Sequence, residues 1–309
     1  MKTQNKKLIL ADLAMVLMAL IWGGGFAGNK ILLNGGMQPT QLIALRFIIA
    51  AVLLSLIFIK RFKKDKSLII AGLFIGLALA VSFIIQTIGL KYTTASNNAF
   101  LTSVYVILVP IIAYFITKRR PDKFNLTAAI LVVIGVLLLT VDFTSFSLGK
   151  TATFKGDMLT LIGAVCYGFQ VSLVAYYSRK HDPILLAVIQ IIFVAVFSTV
   201  FALIFEGPHF TITKDGILIL IYLSVLATAL CLVLQNVAQK YTSPTHAGIL
   251  MSLESVFGTL MGVVILHERI TSQMYLGFAV IFLALIIAET KLSFMKKLSE
   301  KKILAEKKS

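Results

Sequence analysis

Acidic residues are scarce in this chain: 13 Asp and Glu stand against 29 Lys and Arg in 309 residues. All charged residues together make up only 14%, too few to solvate a soluble globule of this length. With 59% apolar side chains and a mean hydropathy of +0.95, the composition is that of an integral membrane protein. Cysteine is nearly missing. Cys166 and Cys231 both lie in apolar runs with no metal-ligand spacing, which argues against a disulfide framework and a Cys-based metal site. The glycine cluster Gly23-Gly24-Gly25 lacks the following Gly-Lys of a phosphate loop. No span or loop gathers a nucleophile, a base and an orienting group, so the expectation is a non-enzyme needing no cofactor and no metal.

What is there is a series of long apolar runs. Taking about 20 residues per crossing, ten spans are expected: Leu8 to Lys30, Pro39 to Ile59, Leu68 to Leu90, Ala95 to Thr117, Leu126 to Val141, Met158 to Tyr177, Ile184 to Phe205, Gly216 to Gln239, Thr245 to Leu266 and Met274 to Ala288. These segments are apolar almost all round rather than alternating, so backbone satisfaction in lipid requires helices and not barrel strands. The placement of positive charge orients them. Lys2, Lys6 and Lys7, the run from Lys60 to Lys66, Lys118 to Lys123, Arg179 and Lys180, Lys240 and the Lys-rich tail all fall on one side. The other side receives Lys30, Lys91, Lys150, Lys155, Lys214 and Arg269. By the positive-inside rule both termini are cytoplasmic, and the net charge of +16 serves topology and lipid contact rather than nucleic acid. The tail, with Leu292, Met295, Leu298 and Leu304, reads as a surface helix or a solvated end.

The chain also repeats itself. Gln86 with Lys91-Tyr92-Thr93-Thr94 matches Gln235 with Lys240-Tyr241-Thr242-Ser243 at one offset of 149 residues, and Asp12/Asp157, Gly23/Gly168 and Pro39/Pro183 correspond nearby. Each copy holds an odd number of spans, so the second lies inverted in the membrane. The expected fold is all-α, with ten transmembrane helices as two inverted five-helix repeats, residues 1–142 and 157–290, joined by an external linker 143–156 and followed by a basic cytoplasmic tail 291–309. Inverted repeats build carriers that alternate between two related conformations around a central site.

Polar side chains within spans are costly and form the candidate site. Arg46 can form a salt bridge, bind a substrate carboxylate or extend to the headgroups. Glu254, near the middle of its span, can serve as a proton-coupling carboxylate, a counter-ion for an amine or an acceptor at a helix contact. Asn97 and Asn98 with Thr102, Ser103 and Tyr105, and Gln86, Gln235 and Asn236, supply groups that both donate and accept, suited to replacing the hydration of a zwitterion. For any one of them interhelical hydrogen bonding is the competing role. Trp22 and Tyr167, each followed by glycine, occupy corresponding places and could sandwich an aromatic or quaternary-amine solute, with Phe26 and Phe100 completing the wall. Gly258 and Gly262 have small-xxx-small spacing for close helix packing, and Pro110 is expected to kink the fourth span.

Ala19-Leu20-Ile21-Trp22-Gly23 with Lys30, Ala44-Leu45-Arg46-Phe47, Gly89-Leu90-Lys91-Tyr92-Thr93-Thr94-Ala95-Ser96, Ser252-Leu253-Glu254 and His267-Glu268-Arg269 resemble the drug/metabolite transporter superfamily, EamA type. The chain departs from the family pattern with Ser255 where proline is usual and with Lys118-Arg119-Arg120 in place of a Gly-Glu-Arg string. The resemblance implies a ten-helix inverted repeat with a central cavity and, for bacterial members, export of amino acids or other small metabolites. The expected function is therefore export of small polar metabolites, amino acids foremost, across the cytoplasmic membrane by alternating access, with the solute, lipids and a coupling proton as partners. Two rivals stand beside it: an exporter of amines or cationic drugs, and a non-transporting membrane scaffold or lipid-handling protein.

Overall fold

The computed structural model describes residues 2–62, 65–117, 141–142, 147–148, 152–242 and 244–290, together with positions 124, 127, 130, 131, 134, 135 and 138. The helices are α1 (Lys2–Asn34), α2 (Pro39–Phe58, continued by a 3-10 turn Ile59–Arg61), α3 (Lys66–Tyr92), α4 (Ala95–Thr102) and α5 (Tyr105–Thr117) in the first half. In the second half come α6 (Phe154–Tyr177), α7 (Pro183–Phe205), α8 (Lys214–Ile221), a π-helical stretch (Tyr222–Leu230), α9 (Cys231–Tyr241), α10 (Pro244–Leu266) and α11 (Ser272–Thr290). A two-residue strand pair, β1 (Val141–Asp142) with β2 (Ser147–Leu148), lies in the connection between the halves. Six of these helical units are long and apolar enough to cross a membrane, and three shorter apolar helices accompany them. The expected fifth span and the basic tail lie outside the described residues, apart from the isolated positions and β1.

Local chemistry sets the helix ends. Proline occupies the first position of both α2 and α7, where its missing N–H costs nothing. Asp65 caps α3 by accepting from the Ser67 and Leu68 amides, Asp182 caps α7 through Ile184 N, and Thr94 caps α4 through Asn97 N at 3.0 Å. Only Thr93 and Thr94 separate α3 from α4, so those helices must fold back on each other.

Helix contacts come in matched pairs. α3 packs on α6 as α1 packs on α9; α1 packs on α10 as α6 packs on α4 and α5; α3 packs on α7 as α2 packs on the π-helical stretch; and α2 packs on α7. Lipid provides no hydrophobic drive between helices, so close backbone approach matters. At the α3–α6 crossing Gly89 and Gly156 face each other: a Cβ on Gly156 would sit 2.6 Å from the Gly89 carbonyl oxygen and 2.7 Å from Thr93 N. At the α1–α10 crossing a Cβ on Gly23 would collide with Phe257 Cβ. Gly258 packs against Ala99 and Phe26, and Gly262 against Ser96 and Glu268, as the small-xxx-small spacing predicts.

Two elements differ from the sequence reading. The fourth span breaks at Ser103 and Val104, between α4 and α5, while Pro110 lies within α5. The hydroxyls of Thr102 and Ser103 bond back to Asn98 O and Ala99 O, and 3-10 bonds from Val104 N to Leu101 O and from Val106 N to Ser103 O carry the chain through the break. The eighth span, expected as a plain helix, is π-helical over Tyr222–Leu230.

Candidate functional site

A cavity lies in the middle of the bundle, beside the break in the fourth span. Its walls include Trp22, Phe26 and Asn29 of α1, Arg46 of α2, Phe83 and Gln86 of α3, Thr102 of α4, Tyr167 of α6 and Glu254 of α10. Five of the ten sequence candidates thus share one cavity: Trp22, Arg46, Gln86, Tyr167 and Glu254.

Arg46 is buried within the bundle, at 3% exposure. Its Nε donates to Thr228 Oγ1 and its Nη2 to Ala227 O at 3.2 Å, both on the π-helical stretch, and its guanidinium lies 5.2 Å over the Phe83 ring. Trp22 Nε1 donates to the same Ala227 carbonyl at 2.8 Å. A π turn shifts the backbone out of the ordinary i→i+4 ladder, which explains how one mid-span carbonyl serves two side chains from neighbouring helices. These acceptors are neutral, so neither supplies a counter-charge to the guanidinium. Glu254 is equally buried, and its Oε1 has no hydrogen-bond partner among the described residues. No ion pair joins Arg46 to Glu254; the two ion pairs among the described residues are Arg61–Asp182 and His181–Asp65. A guanidinium and a carboxyl group therefore line one cavity without an ion pair between them.

Tyr167 is the hub of the aromatic wall. Trp22 meets its ring edge-on at 6.2 Å, Phe83 at 6.2 Å and Tyr105 at 4.8 Å. Tyr105 is thus held behind Tyr167 rather than on the cavity surface. Phe100 stacks on Phe278 at 4.1 Å, away from this wall. Behind Tyr167 lies an amide cluster that the sequence reading caught only in part: Gln235 Nε2 donates to the Tyr167 hydroxyl at 3.4 Å and to Gln170 Oε1 at 3.2 Å, and Gln170 Nε2 reaches Gln190 Oε1 at 3.2 Å. Asn236 bonds its own helix at Leu232 O, with its Oδ1 unpartnered among the described residues.

Asn97 and Asn98 lie toward the end of the bundle that carries the α3–α4 turn. Asn97 Nδ2 donates to Asp157 Oδ1 at 3.3 Å, and Asp157 also accepts from Thr93 Oγ1 at 2.5 Å and Thr153 Oγ1 at 2.8 Å. Asn98 Nδ2 donates to Thr160 Oγ1 at 2.7 Å and to Gln86 O at 3.2 Å. Both asparagines thus clasp α4 to α6. Glu268 completes this end by accepting from Ala95 N at 2.6 Å and Ser96 N at 3.0 Å, a carboxylate on the positive end of α4. Lys30 Nζ caps the other side of the turn through Thr93 O at 2.6 Å and Leu90 O at 2.8 Å. At the opposite end of the bundle Arg179 Nη2 donates to Thr242 O at 2.9 Å, and Thr242 stands 149 residues after Thr93. The two turns are held alike.

Asn29 and Phe83 were missed as lining residues. Asn29 is an intramembrane amide like those singled out, with its Oδ1 unpartnered among the described residues, whereas an isolated phenylalanine carries no sequence signal that separates it from packing. Among the described residues no group of three or more His, Cys, Asp or Glu could hold a metal.

Comparison with known proteins identifies the family. The EamA-like transporter family model matches twice, over residues 9–141 and 154–290, and the chain belongs to that family. It is 36% identical over 289 residues to an uncharacterized transporter of Archaeoglobus fulgidus, covering 93% of this chain and 88% of that one. The uncharacterized transporter YoaV of Bacillus subtilis is 25% identical over 86% of this chain and 91% of its own length. A WAT1-related protein of Arabidopsis thaliana is 26% identical over 84% and 80%. A solved crystal structure superposes with a TM-score of 0.66 over 92% of this chain and 98% of its own at 15% identity, a likeness of fold alone. The protein is thus a multi-pass membrane transporter of the drug/metabolite transporter superfamily.

Proposed function

We propose that this transporter exports small zwitterionic metabolites, amino acids foremost, across the cytoplasmic membrane by alternating access between two inverted five-helix repeats with both termini in the cytoplasm. The observation that carries the substrate class is the placement of Arg46 and Glu254 in one cavity without an ion pair between them. An isolated buried charge is costly in a low-dielectric interior. A zwitterion lowers that cost at both groups at once, with its carboxylate on the Arg46 guanidinium and its ammonium on Glu254. Trp22, Phe83 and Tyr167 form the surface for its side chain, and Gln86 and Thr102 supply neutral polar contacts. The matched helix contacts and the double family match support the inverted repeat, because exchanging the shapes of two such halves opens the cavity to the other side. Export is carried over from the family resemblance. Glu254 also gives a proton a place to bind when the solute has left, which is the basis for coupling export to a proton gradient.

Counterflow into liposomes preloaded with pooled amino acids, amines, nucleosides or sugars tests this reading. Accumulation of the amino-acid pool is expected. The Arg46→Gln and Glu254→Gln variants are then crossed with analogues lacking one charge: a solute without its carboxylate should be insensitive to Arg46→Gln, and one without its amine insensitive to Glu254→Gln. A signal from amines alone would move the substrate class to cations with Glu254 as counter-ion, and silence throughout, with an active control carrier, would favour a scaffold.

A further inference from the structure

The end of the bundle that carries the α2–α3, α6–α7 and α9–α10 connections holds a second feature unrelated to the central cavity. It is an open cleft whose walls carry Lys60, Arg61, Arg179, Lys180 and Lys240 against two carboxylates, Asp65 and Asp182. Both carboxylates are already engaged. Asp182 caps α7 through Ile184 N at 2.9 Å and lies 3.9 Å from Arg61, and Asp65 caps α3 and lies 3.9 Å from His181. Lys60 and Lys240 are exposed and have no ion-pair partner among the described residues. Among the described residues the cleft therefore carries an excess of positive charge that suits a phosphate.

A separate groove runs between α1 and α9 and is apolar apart from Lys7 at its head; its walls include Leu10, Ala11, Ala14, Leu234 and Ala238. Val237 and Tyr241 line both the cleft and the groove, so the two adjoin along α9. Lys7 sits over the Tyr241 ring at 5.4 Å from its centroid, at the junction. The groove opens sideways toward lipid, where Leu10 and Leu13 are more than half exposed on α1.

We propose that this compound feature binds an anionic phospholipid, with its phosphate in the basic cleft and one acyl chain in the groove between α1 and α9. A free anion would need the cleft alone and leave the groove unexplained. A neutral lipid would need the groove alone and gain nothing from the cations. The proposal is independent of the transported solute, since no residue of this feature lines the central cavity.

The test is native mass spectrometry of the full-length protein released from detergent with phosphatidylglycerol, phosphatidylcholine or soluble glycerol phosphate added. Phosphatidylglycerol should be retained in preference to phosphatidylcholine, and glycerol phosphate should not displace it at equal concentration. Lys60→Gln and Lys240→Gln should each lower phosphatidylglycerol retention about fivefold, the usual contribution of a headgroup-facing cation expressed as affinity. Ala14→Phe, which fills the groove without touching the charges, should lower retention of both lipids. All three sites are at the surface or partly so, and unchanged melting would show that the variants remain folded. Equal retention of the two lipids, displacement by glycerol phosphate, or full retention by folded variants would overturn the proposal.

Discussion

At the scale of single residues, the central cavity is defined by charges that ordinary packing would have paired. Arg46 spends its hydrogen bonds on Thr228 and Ala227, neutral groups of the π-helical stretch. Its remaining positive field is directed at whatever enters. A hydrogen bond to a charged group contributes about 1.5–3 kcal/mol, so Arg46→Gln is expected to raise the half-saturating concentration of a carboxylated solute by about tenfold or more, measured by counterflow across a concentration series. Glu254→Gln keeps the shape of the side chain and removes its charge. It should weaken transport of solutes bearing an ammonium to a comparable extent and abolish acceleration of efflux by an imposed pH gradient; retained acceleration would separate Glu254 from the coupling. Trp22→Phe removes one donor from Ala227 O and leaves Arg46 as its partner. Loss of one buried hydrogen bond costs about 1 kcal/mol, and a fall in melting temperature in detergent of a few degrees should accompany it, with the cavity's charges intact.

At the scale of elements, crossings and interruptions matter more than the spans themselves. The α3–α6 crossing depends on Gly89 and Gly156, where any side chain meets backbone rather than a movable neighbour. Gly156→Val is expected to destabilise the protein by about 1–3 kcal/mol or more through overpacking, read as loss of the monodisperse peak in size-exclusion chromatography or a marked drop in melting temperature. The six long apolar helices were legible in the sequence because twenty apolar residues have few alternatives in lipid. Their interruptions were not. The break at Ser103 and the π-helical stretch arise from hydroxyl back-bonding and from side chains of other helices competing for carbonyls, and no local pattern announces a competitor that lies more than a hundred residues away. Pro110 was the visible breaker, yet the chain gives way seven residues earlier.

For the whole molecule, the two ends of the bundle are held by different side chains. One is held by Lys30, Asp157 and Glu268 around the α3–α4 turn, the other by Arg179 at the α9–α10 turn. If both termini are cytoplasmic, cysteines introduced at Lys155 and Lys214 should react with a membrane-impermeant maleimide added to intact cells, while one at Lys180 should react only after lysis. The reverse pattern would invert the topology. Because Glu268 clasps the amide end of α4, Glu268→Gln should weaken closure of that end and increase labelling of a cysteine placed beside the cavity from the same side.

Composition and hydropathy were sufficient to establish that this chain crosses a membrane by helices, since unsatisfied backbone in lipid leaves few options. The 149-residue repeat and the family motifs were likewise visible as plain identities along the chain, and they foretold a carrier. Burial cost alone also marked Arg46 and Glu254 as candidates. Only the tertiary structure decided their relation: that they share a cavity without pairing, that Trp22 and Arg46 converge on one π-helical carbonyl, and that Asn97 and Asn98 clasp helices instead of facing the cavity. The physical reason is that cost in lipid is a property of one residue, whereas partnership depends on which helices cross, and at what depth.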